Sequence, residues 1–151
     1  MAVRVQREDF DIGAELDALT RGNVRIGGLT SFVGLVRDMA GGDAVAAMTL
    51  EHYPGMTERQ LEAIEAEALR RWPLDATLIV HRFGRLEPGD RIVLVACASA
   101  HREAAFQACH FLIDWLKTRA PFWKREETPA GARWVEAKST DDDAAARWEA
   151  P

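Results

Sequence analysis

Two lysines and an arginine, Lys117, Lys124 and Arg125, flank Pro121 in the segment LKTRAPFWKRE (116–126). One helix cannot run through both lysines, because the residue before a proline avoids helical angles. If residues 122–126 are extended, Phe122, Lys124 and Glu126 share one face, while Trp123 and Arg125 share the other. Lys124 then folds back toward the helix end that bears Lys117. Two ammonium groups held close repel, which tends to lower the pKa of one of them. Such a lysine can stabilise an oxyanion or move a proton. Each residue also has an ordinary reading. A lysine at a helix C-terminus is favoured by the dipole alone, and Lys124 with Arg125 can be the solvated edge of a strand.

Two other places join cationic groups to turn signals. Ser99-Ala100-His101-Arg102 precedes a long helical pattern, where free N–H groups and the positive dipole end favour anions. His101 and Arg102 are against the dipole preference there, which points to a phosphate. Arg37 ends a glycine-containing run rich in Val, Phe and Thr.

The other reactive side chains give weaker signals. His81 and His110 lie in apolar runs and read as core or interface histidines, while His52, beside Tyr53, is undecided. The five tryptophans read as core or interface rather than as a stacking platform. Cys97 and Cys109 sit in apolar runs as buried thiols do. They form no CxxC pair or His/Cys cluster, which argues against structural zinc. No Ser-His-Asp arrangement, P-loop or GxGxxG is present.

The elements that must position these groups follow from periodicity. Asp9 to Thr20 reads as a short helix. Val24 to Val36 reads as a strand whose glycines at 27, 28 and 34 mark bulges or close backbone approaches. DMAGGD (38–43) reads as a mobile loop, and Ala44 to Tyr53 as a strand stopped by Pro54-Gly55. Thr57 and Gln60 suggest a capping box opening a helix with Leu61, Ile64, Ala68 and Trp72 at helical spacing. Ala76 to His81 and Arg91 to Ala98 are strands joined through the turn at 87–90. IVLVACA is apolar on both faces and is therefore central. Arg102 to Thr118 is a helix with Ala105, Cys109, Leu112 and Leu116 as its buried stripe. Phe122 to Glu127 and Arg133 to Ala137 are short strands, and Asp141 to Trp148 is a candidate last helix. The sum is an α+β fold with mixed or mainly antiparallel strands, read as one domain over 1–151; the order of the acidic tail from Ser139 is left open.

The 151 residues suffice for one real core. A net charge of −5 argues against general nucleic-acid binding but not against a local basic pocket. No apolar stretch reaches the roughly 18–20 residues of a membrane span, and MAVRVQREDF lacks the apolar core of a signal peptide. A reducing cytoplasm is the expected setting. From the residues alone the reading stops at an α+β domain with an anion pocket.

A resemblance takes it further. TLEHYPGMTE (49–58), RWPL (71–74), HRFGRLEPGD (81–90), SAHR (99–102), LKTRAPFWKRE (116–126) and RWVEA (133–137) resemble, in order and spacing, the large catalytic subunits of molybdopterin synthase, the MoaE family. The resemblance covers most of the chain from about Val24 to Trp148. It implies an α/β hammerhead with an added β subdomain. It implies a sulfurtransferase that converts cyclic pyranopterin monophosphate (precursor Z) to molybdopterin, taking sulfur from the C-terminal thiocarboxylate of a small ubiquitin-like partner, MoaD. It implies a homodimer of large subunits with a small subunit at each end, and no cofactor or metal for the transfer itself.

Carried over by motif, the resemblance puts Leu35, Val36, Arg37, His101, Arg102, Lys117, Lys124, Arg125 and Glu126 around the substrate. Lys117 is the implied main catalytic residue, beside the partner's thiocarboxylate. Lys124 serves proton transfer or phosphate contact, and His101 and Arg102 bind phosphate or pterin. Lys138 is implied to reach the neighbouring subunit's pocket. Two positions depart from the family pattern: Leu35 and Lys138 stand where members often carry a basic residue and an arginine. Lysine keeps the charge but loses the bidentate fork. The competing reading is a non-catalytic dimeric module that binds a ubiquitin-like tail or a phosphorylated ligand.

Overall fold

A computed structural model of the chain describes residues 2–40, 42–135 and 139–149. A four-stranded sheet forms the larger layer. Its strands are β1 (Ala2–Gln6), β2 (Gly28–Leu35), β6 (Ala76–Arg82) and β8 (Arg91–Ser99), in the order β1-β6-β8-β2. Only the β1–β6 pair is parallel. The central position of β8 explains IVLVACA. Val93, Val95 and Cys97 face Leu61, Ile64 and Phe111, whereas Leu94 and Ala96 face Phe10 and Leu16. Each side of the strand is thus buried under helices, so neither can be polar.

The covering helices are α1 (Ile12–Thr20) on one face, and α2 (Met56–Arg71) and α3 (Arg102–Arg119) on the other. Helix α1 begins at Ile12 rather than Asp9, because Asp9 is already engaged. Its carboxylate accepts from Arg91 at 2.8 Å and from the Phe10 amide at 2.8 Å. Asp11 caps the helix instead, accepting from the Ala14 amide.

The capping of α2 also differs from expectation. Gly55, at φ +86°, is the residue before the helix, and the Glu58 carboxylate accepts from its amide at 3.2 Å. Thr57 lies inside the helix, fully buried. The proposed Thr57–Gln60 box is therefore displaced by two residues.

A second, antiparallel sheet is built from β5 (Ala47–His52), β7 (Gly84–Leu86), β9 (Phe122–Thr128) and β10 (Gly131–Val135), in the order β10-β9-β5-β7. Met48, Leu50 and Leu86 pack with Val36 as its small core. The loop expected at 38–43 carries a two-residue hairpin, β3 (Met39–Ala40) with β4 (Asp43–Ala44). Strands β1 and β7 were not foreseen; each is short and draws its pairing from a neighbouring strand.

The last helix, α4 (Ser139–Ala146), docks on α3. Trp148 donates from Nε1 to Asp114 at 2.7 Å and packs edge-on against Phe111 and Trp72. The buried Asp114 also meets His110 at 3.4 Å and Arg147 at 3.5 Å. His110 is therefore not a core histidine: half of its side chain is exposed, and it faces out from α3. Trp72, Trp115 and Trp148 pack against the core, whereas Trp123 and Trp134 are exposed.

Candidate functional site

The lysine corner is built from four constraints. Helix α3 stops at Arg119, leaving Lys117 in its last turn. Pro121 starts the turn, where the Phe122 amide donates to the Ala120 carbonyl at 2.9 Å. From the start of α2, the Thr57 hydroxyl donates to the Pro121 carbonyl at 3.2 Å and accepts from the Tyr53 amide at 3.0 Å. Strand β9 then pairs with β5, with Phe122 opposite His52, Lys124 opposite Leu50 and Glu126 opposite Met48.

These constraints bring Lys117 and Lys124 to one cleft of about 310 Å³, with Phe122 and Glu126 from the same face of β9. Leu35, Val36 and Arg37 line its other side. They are held where β2 ends in a register shift between Gly34 and Leu35. The Val36 amide donates to the Asp90 carbonyl, and the Val36 carbonyl accepts from the Gly89 amide. The sequence shows these three residues and the 87–90 turn, but not that the turn pins them.

The cleft is electrostatically mixed. Arg37, Lys117 and Lys124 supply positive charge; Glu126 and Asp141 are the facing carboxylates. Glu126 is buried and pairs with Arg133, its cross-strand neighbour on β10, at 3.6 Å. Its charge is thereby offset locally. Apolar walls from Met48, Leu50, Ile92 and Ile113 lower the local dielectric.

His81, near the end of β6, also lines the cleft. Its ring stacks on Phe122, with centroids 3.8 Å apart and planes at 16°. Burial pushes it down from its ordinary 6.5 to about 4. Lys117, Lys124 and His52 add to that shift, against the opposing hydrogen bond at the Arg82 carbonyl. The apolar run around His81 hid this placement, because β6 leaves the core only at its last two residues.

Three expected residues lie elsewhere. Arg125 points to the other face of β9, over the Trp134 ring at 5.9 Å, as strand alternation requires. His101 and Arg102 stand exposed at the opposite end of α3 from Lys117. Arg102 and Lys117 are fifteen positions apart on this helix, about 22 Å. Their loop is held close by missing side chains: a Cβ on Gly27 would sit 2.1 Å from the Ala100 carbonyl oxygen, and one on Gly28 would meet Arg102 Cα at 3.4 Å. Lys138 lies outside the described residues. Among the described residues, no three His, Cys, Asp or Glu side chains converge as metal ligands. No described helix is long and apolar enough to cross a membrane.

The MoaE protein family model matches residues 5–119, well over half of the chain and nearly all of the first sheet and its helices. The chain belongs to the MoaE family. It is 60% identical over 149 residues to the molybdopterin synthase catalytic subunit of Pseudomonas aeruginosa, with 99% of each chain covered. It is 52% identical over 147 residues to that of Vibrio cholerae, with 97% of each covered. Among solved structures, the MoaE protein of Burkholderia ambifaria superposes with a TM-score of 0.85 at 57% identity over the whole of both chains. Molybdopterin synthase of Staphylococcus aureus superposes at 0.81 with 31% identity, covering 88% of this chain and 96% of that one. The MoaE family model ends at Arg119, between the two cleft lysines, but the likeness to the Pseudomonas and Burkholderia proteins extends through Lys124.

Proposed function

We propose that this MoaE family member is the catalytic subunit of a molybdopterin synthase. It transfers sulfur from the C-terminal thiocarboxylate of a small ubiquitin-like partner, MoaD, to cyclic pyranopterin monophosphate, forming the dithiolene of molybdopterin. The observation that carries this reading is the convergence of Arg37, Lys117 and Lys124 on one apolar-walled cleft.

Each side chain has work that its chemistry suits. Arg37 presents a planar fork to a phosphate. Lys117, at the exposed end of α3, meets the partner's terminal thiocarboxylate and stabilises the negative charge that develops at its carbon. Lys124, half-buried on β9, contacts the phosphate or transfers a proton. The sulfur arrives on the partner, so the buried, unbridged Cys97 and Cys109 need not act as nucleophiles.

His101 and Arg102 bind substrate from a second copy of the chain. With α3 between them and Lys117, they cannot enter the cleft of their own subunit, and a twofold dimer supplies them in trans. A homodimer carrying one small subunit per large subunit is the assembly this requires, in a reducing cytoplasm. Incubating the purified chain with thiocarboxylated partner and cyclic pyranopterin monophosphate tests the reading. Dithiolene product supports it. Stable partner binding without product supports a non-catalytic binding module instead.

A further inference from the structure

The polar side chains that line the cleft are cations or carboxylates, with one exception, His81. Its Nδ1 lies 2.8 Å from the Arg82 carbonyl oxygen. A carbonyl only accepts, so Nδ1 carries the proton, and in a neutral ring Nε2 is left with a lone pair. Among the described residues, nothing is hydrogen-bonded to Nε2, and it is not a sealed, unsatisfied atom either. His81 itself lines the cleft. The Phe122 stack fixes the ring plane, so the direction of the lone pair is set before any ligand arrives.

The charge pattern gives that lone pair a use. A substrate with a phosphate brings negative charge next to Lys117 and Lys124. A carboxylate touching the same molecule would repel it, whereas a neutral imidazole accepts a hydrogen bond without that cost. Burial is the main cause that holds His81 uncharged, and the titratable groups facing it, Lys117 from α3, Lys124 from β9 and His52 from β5, add to it.

We propose that His81 is a further substrate-binding residue, whose Nε2 accepts a hydrogen bond from an N–H or O–H donor of the anionic substrate. The inference rests on the sulfur-transfer reading of this cleft and adds a contact to it.

Kinetics of His81→Phe and His81→Gln in the full synthase, with ¹⁵N-imidazole spectra of the wild type, test it. His81→Phe keeps a flat ring on Phe122 but has no acceptor; His81→Gln restores a carbonyl acceptor. The expected result is a roughly tenfold loss of kcat/KM in His81→Phe, the scale of one lost hydrogen bond. His81→Gln recovers part of it, and both variants melt near the wild-type temperature. In the wild type, saturating substrate shifts the His81 Nε2 resonance. Wild-type kcat/KM in His81→Phe overturns the inference. If neither variant folds, the wild-type spectra decide: an unmoved Nε2 resonance overturns it. A wild type that binds substrate and shifts Nε2 but makes no dithiolene separates failure of the sulfur-transfer reading from failure of this contact.

Discussion

The Thr57 hydroxyl donates to the Pro121 carbonyl at 3.2 Å, joining residues 64 positions apart. Thr57 has no exposed surface, and the bond ends at the residue that turns the chain between Lys117 and Lys124. A buried side chain of α2 thereby holds the corner on which both lysines depend.

Replacing Thr57 tests that hold. Thr57→Val keeps the shape but strands the Pro121 carbonyl and the Tyr53 amide. The expected cost is about 1–3 kcal/mol, read as a shift in the urea midpoint. Thr57→Ser keeps both hydrogen bonds and loses only a methyl group, about 1 kcal/mol. Turnover should follow the same order, with Thr57→Val slower than Thr57→Ser. Equal turnover in both would show that the corner holds without this bond.

The proposed twofold dimer, with His101 and Arg102 supplied in trans, predicts complementation between subunits. Lys117→Ala and Arg102→Ala are each expected to be nearly inactive as homodimers. When the two chains are co-folded in equal amounts, half of the dimers are mixed. In each of these, one cleft has both its own Lys117 and its partner's Arg102. Recovered activity should approach about a quarter of wild type. No recovery would place Arg102 in the same cleft as its own Lys117, against the length of α3.

How much of this was legible in the sequence depends on whether the cause was local. The proline corner, the alternation along β9 and the two-faced burial of β8 all follow from neighbouring residues, and the structure has them. The close approach at Gly27 and Gly34 was readable from glycines inside a β-rich run; a Cβ at Gly34 would lie 2.9 Å from Val93. What was not legible needed partners far along the chain. Helix α1 starts late because Arg91 holds Asp9. The α2 cap moved because Thr57 is drawn inward to Tyr53 and Pro121. His81 looked like core because its strand is core until the last two residues. His101 and Arg102 were grouped with Lys117 by motif alone, although a helix over 102–118 already sets Arg102 and Lys117 about 22 Å apart.

Glu65 gives a pH prediction with a definite sign. Its carboxylate is buried on α2 and accepts from the Thr77 hydroxyl at 2.7 Å. Burial raises its pKa above the ordinary 4.5, and the Thr77 bond only partly opposes this. The folded chain then holds a proton that the unfolded chain has released. Stability contributed by this group therefore falls as pH rises from about 4.5 toward the raised folded value. Glu65→Gln keeps an acceptor for Thr77 and removes the titration. It should be more stable than wild type at neutral pH, with the gain vanishing below the ordinary carboxylate value. Urea melts across that range check it; a gain that grows on acidification would contradict the sign.

Lys117 is proposed to do chemistry at the partner's thiocarboxylate. The most direct measurement is single-turnover formation of the dithiolene by Lys117→Ala, with saturating thiocarboxylated partner and cyclic pyranopterin monophosphate. Loss of one charge-stabilising donor costs about 10²–10³ in rate. A loss at least that large is expected, with the melting temperature and partner affinity close to wild type, because Lys117 is exposed at a helix end. Dithiolene formed at the wild-type rate by folded, partner-bound Lys117→Ala would contradict it.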